Sequence, residues 1–92
     1  MKINFTETGW ADYLYWQRQD KKTLKKINLL IVDISRHGHD GLGKPEPLKG
    51  EGLEWWSRHI DEKNRLIYQI TGEDTLEIAQ CRSHYGEHQA RP

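Results

Sequence analysis

Ninety-two residues carry 14 basic and 14 acidic side chains, a formal net charge of zero, which excludes the whole-molecule attraction of a strongly basic nucleic-acid binder and makes any basic surface local. Hydrophobic residues make up 35% of the chain, enough for one small domain near the size where a single core is marginal, so association into a homodimer is expected. A single cysteine, Cys81, excludes an internal disulfide framework; Met1 to Glu7 lacks an apolar leader, and no run reaches the roughly 20 apolar residues of a membrane helix, so a cytoplasmic, membrane-free protein is expected.

In chain order, Ile3 and Phe5 predict a short strand over Lys2 to Thr6, ended near Gly9. Trp10, Tyr13, Leu14 and Gln17 then recur at the spacing of one helical face, with Trp16 beside them, and core packing is the expected use of that stripe. Asp20 is placed to cap a second helix, whose stripe of Leu24, Ile27, Ile31 and Ile34 runs until Arg36-His37-Gly38 ends it. Gly38 to Gly52 has no hydrophobic period and reads as a loop. Three strand-like runs follow, Leu53 to Ile60, Arg65 to Thr71 and Thr75 to Tyr85, joined by connections too short for anything but antiparallel pairing. The reading is α+β: two N-terminal helices packed on one face of a small antiparallel β-sheet, in a domain of residues 1–85 with a polar tail of 86–92.

Two stretches carry the chemistry. Lys44-Pro45-Glu46-Pro47-Leu48-Lys49 fixes one carboxylate between two prolines and flanks it with ammonium groups, and the prolines predict stiff, extended backbone on either side. Arg82-Ser83-His84-Tyr85 ends the last run, with Arg58, His59 and Arg65 between the two stretches. A base, an acid and fixed cations are the equipment for phosphodiester cleavage, with RNA as the candidate substrate, since its 2′-hydroxyl supplies the nucleophile. Glutamate is ordinarily ionised above about pH 4.3 and histidine holds a proton until about pH 6.5, so Glu46 suits proton removal and His84 proton donation. Arg65 offers a planar fork for phosphate oxygens, Lys49 a point charge. Glu46 as a solvated loop acid and Arg65 as a surface strand arginine remain the competing readings. His37, His39 and Asp40 are a weak metal signal, no glycine-rich phosphate loop occurs, and no metal or cofactor is expected. Lys21, Lys22, Lys25 and Lys26 crowd the start of the second helix, where positive charge is locally unfavourable, and suit either a contact to nucleic-acid phosphates or a solvated face.

Tyr13-Leu14-Tyr15-Trp16, Lys25-Lys26-Ile27-Asn28, Gly43 to Lys49, Trp56-Ser57-Arg58, Arg65-Leu66-Ile67-Tyr68 and Cys81-Arg82 followed by His84-Tyr85 together resemble the YoeB branch of the RelE/ParE superfamily. The resemblance covers residues 1–85. It implies a RelE-like, microbial RNase-like fold, ribosome-dependent cleavage of mRNA without a metal, inhibition of translation, and neutralisation by a YefM/Phd-type antitoxin. It carries general base onto Glu46, general acid onto His84, transition-state stabilisation onto Arg65 and support onto Lys49 and Tyr85, with Lys44, Arg58, His59 and Arg82 as phosphate-binding candidates, and it makes the phosphates that would meet Lys21, Lys22, Lys25 and Lys26 those of ribosomal RNA. His59 stands where a family member has a second arginine. The alternative within the superfamily is a ParE-like toxin that acts on DNA gyrase without an RNase site.

Overall fold

The computed structural model describes residues 1–49, 54–72 and 74–83. Strand β1 (Lys2–Phe5) leads into helix α1 (Glu7–Gln19) through Thr6, whose Oγ1 accepts from the Gly9 N–H at 3.0 Å and donates to the Ala79 carbonyl at 3.1 Å. One hydroxyl thus caps the helix and ties it to the sheet. Asp20 closes α1 and opens α2 (Lys21–His37): its N–H bonds the Trp16 carbonyl, and its carboxylate accepts from Lys22 N–H, Thr23 N–H and the Thr23 hydroxyl. Gly38, at φ 66°, ends α2 with a bond to Ile34 O at 2.8 Å. Two helices joined without a loop form a hairpin that buries Ile27, Leu30, Ile31 and Ile34 against Leu66, Tyr68, Leu76 and Ile78 of the sheet.

The sheet has five strands in the order β1-β5-β4-β3-β2, where β2 is Glu46–Pro47, β3 Trp56–His59, β4 Arg65–Thr71 and β5 Thr75–Gln80. The helices cover one face, as expected. Pairing is antiparallel from β2 to β5, but β1 runs parallel to β5, from Lys2↔Thr75 to Phe5↔Ile78, so the sheet is mixed. The α-hairpin carries the chain across the sheet from β1 at one edge to β2 at the other, and the strands then return to meet β1, so the parallel pair is joined through the whole domain. The expected loop after Gly38 contributes β2, a two-residue edge strand in which Pro47, having no N–H, is tolerated.

Two further expectations are corrected. The buried face of α1 is Gly9 and Asp12 with half-buried Tyr13 and Trp16, while Trp10 and Gln17 face solvent, so the stripe is turned by about one residue. Gly9 is buried because α1 lies directly on β5: a Cβ there would meet the Ile78 carbonyl oxygen at 2.3 Å. The last strand stops at Gln80 rather than continuing to Tyr85, since the Cys81 N–H leaves the ladder for the Asp12 carboxylate at 3.1 Å and Ser83 turns at φ 66°. Cys81 is fully buried, its thiol donating to Gly9 O at 3.8 Å, and burial, then the nearby Asp12 carboxylate, push its pKa up. The expected boundary between 1–85 and a tail of 86–92 lies outside the described residues.

Candidate active site

Residues directly opposite one another in a strand pair point to the same face, and neighbours along a strand point to opposite faces. Arg58 on β3 reaches Asp33 of α2, so it and Trp56 lie on the helix-covered face. Ser57 and His59 therefore lie on the open face. Register then places the rest: Glu46 is opposite Ser57 and Arg65 opposite His59, so Glu46, His59 and Arg65 share the open face. Between them Ser57 and Ile67, a further register pair, are closed to solvent at 3% and 1% exposure, whereas Glu46 is exposed.

Turn chemistry holds Arg65. The Asp61 carboxylate accepts from the N–H groups of Lys63 and Asn64 at 2.9 and 2.7 Å, folding the β3–β4 turn, and Arg65 Nη1 donates to the turn carbonyls of Asp61 and Glu62 at 2.7 and 3.1 Å. Burial opposes ionisation of Asp61, but these N–H bonds and those from the Asn64 side chain outweigh it, and its pKa is lowered. The same turn receives the chain beyond β5: Ser83 N–H donates to Asn64 Oδ1 at 2.6 Å and Arg65 N–H to Ser83 O at 3.1 Å. Ser83, the covalent neighbour of His84, is thus fastened beside Arg65. His84 and Tyr85 themselves lie outside the described residues.

Lys44 precedes Pro45 in the left-handed region, at φ 53°, rather than extended as expected, because the chain must turn between the Gly43 carbonyl, bonded to His59 N–H at 2.7 Å, and the pairing of Glu46. Lys44 and Lys49 are both exposed on either side of β2. Arg58 does not face a substrate: its side chain is fully buried and its N–H groups are spent on Asp33, Tyr68 and backbone carbonyls. That displaces it from the phosphate-binding set. Arg82 also turns to the helical layer, its guanidinium 4.2 Å from the Tyr15 ring centroid and its Nε 3.9 Å from the Asp12 carboxylate. Lys21, Lys22 and Lys25 line a shallow groove with Gln17, Leu24 and Asn28 on the helical layer, and Lys26 is half-buried beside it.

Sequence reasoning missed Asp12, Asp33 and Tyr68, the inward-facing polar groups that position loops around the site. An acidic residue inside a helical stripe is the signal that could have found Asp12 and Asp33. Among the described residues no three His, Cys, Asp or Glu side chains converge as a metal-holding set, and no helix is long and apolar enough to cross a membrane.

Residues 5–85 match the family model of the YoeB-like toxin of bacterial type II toxin–antitoxin systems. The chain belongs to that family. Toxin YoeB of Synechocystis sp. is 55% identical over 92% of this chain and 98% of its own length. The structure described as a YoeB/ParE toxin from Agrobacterium tumefaciens superposes with a TM-score of 0.89 at 46% identity, covering 92% of this chain and all of the other. Staphylococcus aureus YoeB, solved as a dimer and as a heterotetramer with YefM, gives a TM-score of 0.83 at 41% identity over 92% of this chain and 98% of its own. The expected family and fold are therefore both observed.

Proposed function

We propose that this toxin is a ribosome-dependent mRNA endonuclease that works by 2′-hydroxyl attack without a metal and so inhibits translation in the cytoplasm. The observation that carries the reading is the register that sets Glu46, His59 and Arg65 on one open sheet face, with Ser83 fastened at its edge next to Arg65. Glu46 removes the 2′-hydroxyl proton as general base. His84 returns a proton to the leaving 5′-oxygen, and Tyr85 orients a base or the phosphate. Arg65 meets the charge of the phosphorane with its guanidinium, assisted by Lys49 and Lys44 at the mouth and by His59. Fixed donors over a floor closed to water need no cation to stabilise such charge. The groove of Lys21, Lys22 and Lys25, with Lys26 beside it, contacts ribosomal RNA phosphates from the helical layer, opposite the cutting face.

Family membership and the S. aureus relatives support a YefM-type antitoxin and a second copy of the toxin as partners. End-group analysis of mRNA cut on ribosomes tests the chemistry. A 2′,3′-cyclic phosphate or its hydrolysed phosphate upstream and a free 5′-hydroxyl downstream are expected. Termini bearing 5′-phosphate would overturn 2′-hydroxyl attack, and intact mRNA with blocked gyrase supercoiling would assign the ParE-like alternative.

A further inference from the structure

We infer that Arg58 is a positioning residue for Glu46, an inference that rests on the reading of Glu46 as general base. Arg58 is fully buried on the helix-covered face of β3, and Glu46 stands on the other face of the neighbouring strand, so Arg58 can act on the reaction only through the backbone it holds.

What it holds is the segment that delivers the base. Nη2 donates to the carbonyls of Gly38 and Asp40 at 2.6 and 3.2 Å, and Nη1 to the Leu42 carbonyl at 2.9 Å and to the Asp33 carboxylate, while Nε donates to the Tyr68 hydroxyl at 3.3 Å. Asp33 reaches the same segment from α2 by accepting the Leu42 N–H at 3.0 Å. Residues 38–43 belong to no helix or strand and contain three glycines at positive φ, at 66°, 131° and 79°, so the backbone has little stiffness of its own. One ion pair and its carbonyl bonds take the place of a ladder.

The tether passes directly to the base. Gly43 packs so close to β3 that a Cβ would come within 3.2 Å of Arg58 Cβ, and its carbonyl is bonded to the N–H of His59, the next residue on β3. From there Lys44 and Pro45 lead stiffly into β2, which has only two register pairs, Glu46↔Ser57 and Pro47↔Trp56. A strand that short does not fix its own direction, so the carboxylate is aimed by its attachments on either side. The arginine fork is required because a lysine ammonium is a single point and cannot span acceptors on five residues.

The test is a double-mutant cycle between Arg58→Lys and Glu46→Gln, read as single-turnover cleavage on mRNA-programmed ribosomes, with ribosome affinity and thermal melting measured alongside. Arg58→Lys is expected to slow cleavage about 10²-fold, the scale of a misplacement of about 1 Å, with affinity unchanged. In the Glu46→Gln background it is expected to cost nothing further, because the group it positions is gone. An undiminished loss in that background, or a loss carried by affinity, would overturn the positioning role while leaving Glu46 as base. Near wild-type cutting by Glu46→Gln alone would overturn the base assignment and the positioning with it. Should Arg58→Lys lose its cooperative melt, Asp33→Asn, which keeps an acceptor for Leu42 N–H and removes the charge, carries the same cycle; an Asp33→Asn rate equal to wild type would also overturn the inference.

Discussion

His39 and Trp56 stack face to face, with ring centroids 3.9 Å apart and planes 7° from parallel. His39 Nδ1 lies 3.3 Å from the Tyr68 hydroxyl, whose oxygen also accepts from Arg58 Nε, so the ring is held by stacking on one side and by this polar contact at its edge. Burial, then the Arg58 charge, holds the His39 pKa below its ordinary value, with the Glu54 and Asp40 carboxylates opposing. As pH falls through the ordinary value, about 6.5, the unfolded chain takes a proton that the folded state refuses, so stability falls until the folded pKa is reached. Melting temperature is expected to drop as pH falls below about 6.5, and His39→Gln to flatten that dependence. The lowered carboxylates Asp20, Asp33 and Asp61 lose their stabilising contribution only at lower pH, below their ordinary range. Melting curves at a series of pH values separate the two; an unchanged slope in His39→Gln would assign the acid sensitivity elsewhere.

Glu46→Gln and His84→Gln are each expected to lose about 10²–10⁴-fold in cleavage while melting as the wild type does, because each keeps approximate size and polarity but removes a proton-transfer group. The double variant is expected to be far less impaired than the product of the single losses, as groups serving one transition state are nonadditive. Cleavage rates on ribosomes decide both points.

Gly9→Ala is expected to destabilise the fold by about 1–3 kcal/mol, the cost of overpacking a filled interface. The obstacle at 2.3 Å is the backbone carbonyl of Ile78 on β5, which cannot swing aside as a side-chain end would. A denaturant midpoint equal to wild type would show that α1 can lift from the sheet without penalty.

A chain ending at Tyr85 is expected to cut mRNA at the full rate, since Glu87-His88-Gln89-Ala90-Arg91-Pro92 offers no apolar anchor. A tenfold or greater loss with an unchanged melting temperature, on the general scale of one lost contact near 1.4 kcal/mol, would place the tail in the reaction.

Hydrophobic periodicity made most of the fold legible. Asp20 as cap, the Ile27-Ile31-Ile34 stripe and the strands at Arg65 and Thr75 all stand where local pattern puts them. What escaped is non-local or polar. The parallel partnership of β1 with β5 leaves no local mark, and Gly9 and Asp12 face inward without hydrophobicity, which turned the apparent stripe of α1. At the site, Glu46 and Arg65 were legible as residue types in a constrained setting. Arg58 was not, because β3 is covered by helices on one face while Ser57 is closed to solvent on the other, so alternation alone does not say which face an arginine takes; Arg82 was not, because the strand expected to carry it ends at Gln80 and the chain turns toward the helical layer.

The parallel pair also sets an order of assembly. Thr6 meets Ala79 across 73 residues of chain, and Trp16 Nε1 donates to Cys81 O across 65, so these contacts carry a large loop-closure cost. The α-hairpin and the strands from β3 to β5 are joined by short connections and form without waiting for that closure. The N-terminal strand is therefore expected to act as a latch, closing last along the β5 edge of a sheet whose other strands have already met.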